Sequence, residues 1–409
     1  KLGTNDERDM RLLAALEAGA ATHLVTDDNR LQRRAAKCGL GDRVLPLDDA
    51  VELLAAFAPG EATPPPQVRR VKTYTLNTDD SIFEGLRADY SDFDCWLKKV
   101  RREHEQRTSY VIQGESFNYA ALALLKPENP CEYDLTQPVV KISTFKVAAG
   151  YSGLKYGELL LKSVLLDVTE SKVASLYVEV LPTHPDVVGF LEDFGFEELG
   201  IQTSKGEHVL VKTLVPDPTL ELSDLDYHIR YGPPALRMAQ DVYVLPIEPR
   251  WHDQLFPEQV GRIDSTQLSL FPDAEPATHP WGNALRKAYI CNSRTKSLAP
   301  GDVLLFYRSR DRQSISAVGI VEEALRSRAG EEIVQFVGRR TVYTPTEIDT
   351  IARGVGGALA IRFRQDRFID PPMTLDELTA NRVLKSWPQS ITRISAEGVS
   401  WIRDRLKGG

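Results

Sequence analysis

The sequence has little cysteine and no long apolar run. Its four cysteines, Cys38, Cys95, Cys131 and Cys291, are scattered through 409 residues, with no CxxC pair and no zinc spacing among them. This scatter excludes a disulfide scaffold and a cysteine zinc site, and it predicts reduced thiols in a cytoplasmic protein. No apolar stretch approaches the ~20 residues of a membrane span, and no signal-peptide core opens the chain. We therefore expect no membrane partner.

The composition is that of a folded protein, but the charge is unevenly distributed. Apolar residues make up 42% and charged residues 26% of the chain, and its length predicts roughly two to four domains. The net charge is −8, yet the segment from Trp281 to the end holds 21 Lys and Arg against 14 Asp and Glu, a balance of +7 that leaves −15 for the rest. A basic end suggests a polyanionic partner, although solvated surface charge gives the same imbalance.

Residues 1–57 alternate between helices and short strands and precede a proline-rich linker, residues 58–68. Asp9 precedes an alanine-rich helix, and the stretch LVTDD, ending at Asp28, precedes another. The segment resembles the C-terminal half of PIN-type nuclease domains, which implies Asp9 and Asp28 as Mg²⁺ or Mn²⁺ ligands. The leading Asp of that family would lie before Lys1, which suggests a fragment, so we expect no metal-dependent nuclease activity. Asp28 also fits an ordinary helix N-cap.

The middle segment, residues 69–216, has a strand, a glycine-bearing turn and a helix at its centre. The apolar strand Val139–Val147 leads into the turn SGLKYG, which ends at Gly157, and a helix begins there. A helix N-terminus offers unpaired N–H groups and the positive end of the dipole to a pyrophosphate, and glycine permits close approach. Taken alone, this motif also fits an ordinary strand–helix connection. Further along come the strand LYVEV and the stretch HPDVVGFLEDFGF, which begins at His184.

In this order, the two motifs resemble the GNAT acyl-CoA N-acetyltransferases. The resemblance implies that acetyl-CoA is bound, with its pantetheine arm pairing with the backbone of Phe145, Lys146 and Val147. It also implies that the pyrophosphate is held by Ser152, Gly153, Leu154, Lys155, Tyr156 and Gly157.

The sequence departs from the family pattern at four positions. Lys155 stands at the first family glycine and Ser152 where Arg or Gln is usual. His184 stands where the family usually has an Asn that contacts pantetheine. Leu191 stands where many members have a Tyr that protonates the departing thiolate, so the usual acid is missing at this position.

Amine attack on a thioester needs alignment, a polarised carbonyl and a base for the incoming ammonium. The polar groups expected near the centre are Ser143, Thr144, Tyr151, Glu179 and His184. We predict Glu179 and His184 as the catalytic residues. Glu179 equally fits a solvated strand residue, and His184 also fits a helix-start or pantetheine contact.

Residues 217–240 are interpreted as a second linker, and residues 241–409 as a third domain. The stretches PWG, LAPGDVLLFY, AVGIV and WPQSI resemble PUA-like domains of the ASCH and EVE type, which are small β-barrels associated with RNA or modified bases. The resemblance implies base stacking and phosphate contacts, although each aromatic also fits core packing. The implied residues are Trp281, Tyr307 and Trp387 for stacking, and Arg308, Arg310, Arg339 and Arg340 for phosphates.

The sequence thus predicts an α/β protein with a partial PIN-like domain, a mixed GNAT sheet and a PUA-like β-barrel. The predicted function is acetyl transfer from acetyl-CoA to an amine, on or near nucleic acid, with RNA as the expected partner. One alternative is a PIN-type metal-dependent ribonuclease with a regulatory GNAT domain. Another is a non-enzymatic reader of RNA or modified bases.

Overall fold

Helices and strands alternate along the chain, and together they confirm the predicted α/β fold class. A computed structural model describes residues 5–47, 50, 66–114, 118–153, 155–217, 219–259, 284–295 and 298–407. Leu154, Trp281, most of residues 48–57 and most of the predicted linker over 58–68 lie outside these ranges. The chain divides into a central unit, Pro66–Gln240, and a split unit, in which Lys1–Pro65 joins Asp241–Gly409. No helix in the described ranges is long and apolar enough to cross a membrane.

The central unit is built on a seven-stranded sheet with the strand order β3-β4-β5-β6-β7-β9-β8. The pair β6–β7 is parallel, and the other neighbouring pairs are antiparallel. The strands are β3 (Val68–Val71), β4 (Thr108–Gln113), β5 (Tyr119–Glu128), β6 (Val139–Val147), β7 (Ser175–Val180), β8 (Glu197–Gln202) and β9 (His208–Thr213).

Helices cover both faces of this sheet. On one face, α4 (Phe93–Arg102), preceded by α3 (Glu84–Asp89), packs its apolar residues against Leu122 and Leu124 of β5. Helix α5 (Tyr156–Glu170) contacts β4, β5 and β6 and buries a row of leucines and valines. Because β5 is covered on both sides, its run Ala120–Leu125 is buried at every position and shows no alternation.

The segment interpreted as a linker, residues 217–240, contains a helix that belongs to the central unit. Helix α6 (Pro185–Asp193) ends before Gly195, and α7 (Asp224–Tyr231) comes close to that glycine. The buried Lys212 ammonium donates to the carbonyls of Phe194, Ile229 and Arg230, at 2.7, 3.0 and 3.1 Å. One buried cation thereby satisfies the carbonyls at the ends of both helices.

The N-terminal part of the split unit is small. It contains α1 (Asn5–Glu17), β1 (Leu24–Val25), α2 (Asn29–Lys37) and β2 (Val44–Leu45), with β1 and β2 paired in parallel. Its core is a cluster formed by Leu13, Leu16, Leu31, Ala35, Leu40 and Val44. Two strands of two residues each provide little sheet, and the PIN-like resemblance stays a prediction.

The C-terminal part of the split unit is a six-stranded mixed sheet in the order β11-β14-β13-β12-β10-β15. Its strands are β10 (Val242–Ile247), β11 (Arg286–Cys291), β12 (Val303–Arg308), β13 (Ser314–Ser327), β14 (Ala358–Thr374) and β15 (Thr392–Arg393). Its helices are α8 (Pro249–Leu255), α9 (Gly330–Val337), α10 (Pro345–Ala352), α11 (Leu375–Ala380) and α12 (Ala396–Lys407).

The predicted barrel is not closed among the described residues. The long strands β13 and β14 pair with three register shifts, which bend them as bulges do. The end strands β11 and β15 do not pair with each other. Two features account for this open edge. Strand β15 has two residues, and the free side of β11 forms a β-bridge from Ala288 to Thr341.

Candidate active site

The two central strands of the central unit separate halfway along their length. Parallel pairing of β6 with β7 runs from Val139 opposite Ser175 to Ile142 opposite Val178, and β6 then continues to Val147. A register shift against β5 places a bulge at Ser143, where the pairing with β7 stops. Residues 143–147 therefore keep hydrogen-bonding partners on β5 but present the other strand edge to the gap.

The turn after β6 contains two residues in the left-handed region of backbone conformation. Gly153 has φ of +82° and Lys155 a φ of +61°, and α5 begins at Tyr156. The Lys155 ammonium donates to the buried Glu158 carboxylate at 2.8 Å. This contact neutralises a negative charge in the first helical turn, where it would compete with a bound pyrophosphate.

Gly157 lies where the turn faces the gap. A Cβ there would come 3.5 Å from the Phe190 ring and 3.8 Å from Val147 Cγ2. Phe190 in turn stacks on Phe145 with ring centroids 5.8 Å apart. The structure thus brings Phe145, Val147 and Gly157, all predicted cofactor-binding residues, to one place.

A cleft of about 720 Å³ opens at the same gap. It is lined by residues of α3, α4 and the segment between them, by the bulged part of β6, by the end of β7 and by the β8–β9 connection. Both predicted catalytic residues, Glu179 and His184, line it, as do the backbone-contact residues Phe145 and Lys146. Ser143 and Thr144, which were expected near the centre, line the cleft as well, and Tyr151 does not belong to this lining.

Glu179 has two donors within the cleft. Its carboxylate accepts hydrogen bonds from the Tyr133 hydroxyl at 2.9 Å and from the Lys141 ammonium at 2.5 Å. Burial and the bond to Glu179 raise the pKa of Tyr133 well above its usual value, so the phenol stays protonated. Glu179 is therefore an ion-pair partner rather than a solvated strand residue.

His184 directly precedes α6 and pairs with a carboxylate. Its Nε2 lies 2.8 Å from Asp89 Oδ2. Because an ionised carboxylate only accepts, Nε2 carries the proton and the neutral imidazole has Nδ1 as its acceptor nitrogen. Asp89 thereby orients the ring and fixes its tautomer, the arrangement that a general base requires.

The cleft also contains a group that the sequence analysis missed. Tyr90 donates to Glu207 at 2.6 Å, Thr203 donates to the same carboxylate at 2.8 Å, and Lys205 lies 3.2 Å from Asp92. Burial, with help from Glu207, raises the pKa of Tyr90 well above its usual value. We call Asp89, Asp92 and Glu207 the acidic wall of the cleft.

Arg107 lies on a different part of the cleft lining. Its side chain is 4% exposed and pairs with Glu103 at 2.9 Å, and its Nη1 approaches the Ser143 hydroxyl at 3.4 Å. Its buried Nε has no hydrogen-bond partner among the described residues. Leu191, at the position where the family has its acid, is fully buried. The phenols that the cleft itself offers are Tyr90 and Tyr133.

The predicted metal ligands of the N-terminal segment have other partners. Asp9 accepts from Arg34 at 2.8 Å. Asp28 caps α2 by accepting from the backbone N–H groups of Arg30 and Leu31, at 2.8 and 3.2 Å. Within the described ranges, no three metal-ligating side chains come together.

The residues predicted to bind nucleic acid are dispersed over the split unit. Tyr307 is 1% exposed and lies in the core, whereas Trp387 is 55% exposed. Arg308 pairs with Asp253 and Asp311, and Arg310 lies 2.6 Å from Glu248. Arg340 is buried, the backbone of Arg339 lies in the same short helical turn, and Trp281 lies outside the described residues.

Ser316, His252 and Asp253 of the split unit resemble a hydrolase triad. His252 Nε2 lies 2.7 Å from Ser316 Oγ, but the Arg308 guanidinium contacts His252 Nδ1 at 3.2 Å. A guanidinium only donates, so Nδ1 accepts and Nε2–H donates to the serine, which cannot lose its proton to that nitrogen. Burial also lowers the pKa of His252. This cluster is therefore a structural network.

No protein-family model matches the sequence, and neither does any curated protein. Among solved structures, it is similar to ASCH from Zymomonas mobilis (16% identity, TM-score 0.28, 40% of this chain and 94% of that one). It is also similar to a GNAT-family acetyltransferase from Staphylococcus aureus (15% identity, TM-score 0.29, 36% of this chain and 100% of that one). A third similar structure is the PaiA N-acetyltransferase from Thermoplasma acidophilum in complex with coenzyme A (12% identity, TM-score 0.27, 36% of this chain and 99% of that one). TM-scores this low carry no functional conclusion.

Proposed function

We propose that the central unit is an N-acyltransferase that transfers an acetyl group from acetyl-CoA to a primary amine. The observation that carries this proposal is the separation of β6 from β7 beyond Ile142 and Val178. It leaves a free strand edge that continues into a glycine turn and a helix N-terminus, beside a cleft of about 720 Å³. A strand edge suits the amides of a pantetheine arm, and the helix N-terminus suits a pyrophosphate.

In the proposed reaction, the amine nitrogen attacks the thioester carbon. The N–C bond forms, the C–S bond breaks, and sulfur leaves with the electron pair as a thiolate. The proton lost by the attacking ammonium goes to Nδ1 of His184, which Asp89 holds in the required tautomer. The thiolate then takes up the proton held by His184, directly or through water, which leaves a neutral thiol and restores the neutral imidazole for the next turnover.

Calorimetric titration of the full chain with acetyl-CoA tests the binding step. Gly157→Val would fill the space between Val147 and Phe190, and we expect at least ~tenfold weaker binding, or ~1.4 kcal/mol. Gly189→Val is the matched control, because a Cβ at this helical glycine has nothing within 4 Å. A folded wild-type chain that binds no acetyl-CoA, or a Gly157→Val chain that binds it normally, would overturn the placement.

Steady-state rates with a panel of amines test the base. We expect His184→Gln to lower kcat by about 10²-fold while leaving acetyl-CoA affinity nearly unchanged. His208→Gln is the control, since His208 forms the same kind of pair, with Glu198 at 2.5 Å, outside the residues that line the cleft. An unchanged kcat in His184→Gln would exclude His184 as the base.

The acidic wall supports a cationic acceptor. Asp89, Asp92 and Glu207 place three carboxylates in the cleft, and Asp92 is 64% exposed in an ion pair with Lys205 at 3.2 Å. An approaching ammonium can take the place of Lys205 beside this exposed carboxylate. Asp92→Asn should raise KM for a cationic amine with little effect on kcat, and an unchanged KM would contradict this assignment.

We further propose that the amine is presented on or near nucleic acid. The support is the charge of +7 carried by the chain from Trp281 onward, opposite in sign to the rest. Acetylation of a lysine-rich peptide by the full chain should be faster in the presence of RNA, and ribonuclease treatment should remove the gain. The absence of any RNA effect at low salt would contradict this setting.

A further inference from the structure

Four arginines of the split unit surround one glutamate. Arg286 lies on β11, Arg362 and Arg364 on β14, and Arg340 on the short helical turn after α9; we call these four residues the arginine cluster. Glu322, on β13, accepts from Arg286, Arg364 and Arg340 at 2.9, 2.8 and 2.9 Å. Burial works to raise the pKa of Glu322, but the surrounding arginines prevail and lower it to about 2.

Glu322 is not the only carboxylate at this cluster, since Glu323 Oε2 lies 3.5 Å from Nη1 of Arg362. The most enclosed of the four guanidinium groups is that of Arg340, whose side chain is 2% exposed. Burial lowers the pKa of Arg340 to about 10, which shows how incompletely its charge is solvated. Nε of Arg340 and Nε of Arg362 are both buried and find no hydrogen-bond partner in the described ranges. A buried donor without an acceptor is costly, so these two N–H groups can accommodate a further acceptor at this place.

A third carboxylate at the cluster comes from Asp42, in the N-terminal segment. Its Oδ2 lies 2.7 Å from Nη2 of Arg340 and 3.4 Å from Nη2 of Arg362. Gly338, with φ of +51°, lets the backbone come close to this aspartate, since a Cβ there would be 3.1 Å from Asp42 Cβ. The Asp42 side chain is 28% exposed, so its carboxylate lies at the mouth of the cluster.

We propose that the arginine cluster is a binding site for a phosphate group, and that Asp42 occupies this site as an internal substitute. A carboxylate offers two oxygens and one charge, whereas phosphate offers more oxygens and up to about two charges, which suits several guanidinium forks. In its described residues, the segment that carries Asp42 has a small core and two two-residue strands of its own, so little packing opposes its release.

Thermal unfolding of the full chain in phosphate and in chloride, at matched ionic strength, tests the site. Asp42→Ala should unfold at lower temperature in chloride and should recover in phosphate, with an apparent phosphate affinity at least ~tenfold tighter than that of wild type. Asp9→Ala is the control, because it breaks a comparable pair with Arg34 at 2.8 Å, away from the arginine cluster. Equal phosphate effects on Asp42→Ala, Asp9→Ala and wild type would overturn the proposal.

A second pair of variants separates binding from folding. Arg340→Gln in the Asp42→Ala background should abolish the phosphate effect. If this double variant does not fold, Asp42→Asn provides the test instead: it keeps the side-chain shape and should bind phosphate more tightly than the wild type does. A phosphate effect that persists without Arg340 would refute the assignment. None of these readouts depends on acyl transfer.

The source of the phosphate is decided by comparing inorganic phosphate with a short single-stranded RNA. Tighter RNA binding by Asp42→Ala, lost with Arg340→Gln, identifies a phosphodiester ligand. A response to inorganic phosphate alone identifies a free-anion site. Both results support the site, and a chain that responds to neither excludes it.

Discussion

Replacing Gly195 by alanine tests how the central unit holds α6 and α7 together. Gly195 has φ of +78°, which costs a residue with a Cβ about 1–2 kcal/mol. An added Cβ would also lie 1.9 Å from the Ile229 carbonyl oxygen and 2.7 Å from its carbon, so α7 must move. That movement weakens two of the three hydrogen bonds of Lys212, each worth about 1.5–3 kcal/mol because the donor is charged. We expect a total loss of roughly 3–5 kcal/mol.

Native-state hydrogen exchange of the full chain measures this loss locally. The free energy of opening should fall in peptides covering β9 and α7, while peptides of the split unit keep their protection. Gly189→Ala is the control: it lies in a helix with nothing within 4 Å of the new Cβ, and helix propensity favours alanine by about 0.5–1 kcal/mol. A Gly195→Ala chain within ~1 kcal/mol of wild type would refute the steric reasoning.

Three further predictions follow from single contacts. The pKa of Glu322 is about 2 in the folded state against 4.5 for a free glutamate, so its ionised form stabilises the fold by about 3 kcal/mol. This contribution is complete above pH 4.5 and is lost as the pH falls toward 2. Glu322→Gln should flatten this acid dependence of the unfolding free energy, and an unchanged pH profile would contradict the assignment. Asp28→Ala removes the N-cap of α2 and should destabilise this helix by about 1 kcal/mol in hydrogen-exchange measurements. Neither the wild type nor this variant should cleave RNA in the presence of Mn²⁺. Trp387→Ala should weaken RNA binding and leave the salt dependence nearly unchanged, as stacking predicts; a changed slope would indicate a charge effect instead.

The regular elements of the central unit were predictable because their patterns are local. The predicted strand Val139–Val147 coincides with β6, and the predicted strand LYVEV makes up all but the first residue of β7. These runs are rich in β-branched and apolar residues and end at turns or polar segments, so neighbouring residues alone determine them.

The partners of the cleft were not predictable in the same way. Tyr90 and Glu207 are 117 residues apart, and His184 and Asp89 are 95 apart. No spacing rule connects such pairs, and each residue by itself fits an ordinary surface position. The Asp42–Arg340 contact is a stronger case, since an entire unit of the chain separates its partners.

The helix α7 shows why composition misled the interpretation of residues 217–240. This stretch is acidic and proline-bearing, as linkers are, and few of its own residues indicate packing. Its anchor is Lys212, whose ammonium binds two carbonyls of the helix, and its closest neighbour is Gly195. Lysines are mostly exposed to solvent, so the sequence alone predicts an exposed Lys212, and its burial is seen only in the structure.

The two predicted catalytic residues divide their roles according to their partners. Lys141 and Glu179 lie on β6 and β7 beside the last paired positions, Ile142 and Val178, so their ion pair ties the two strands together where they begin to separate. If Glu179 took a proton from the substrate, Lys141 would lose its counter-charge in a half-buried place, which opposes the reaction. His184 has no such conflict, because Asp89 balances the imidazolium that forms. Glu179→Gln should therefore weaken acetyl-CoA binding by loosening the strand edge, whereas His184→Gln should reduce kcat. If Glu179→Gln instead abolished turnover at full acetyl-CoA affinity, the roles would be reversed.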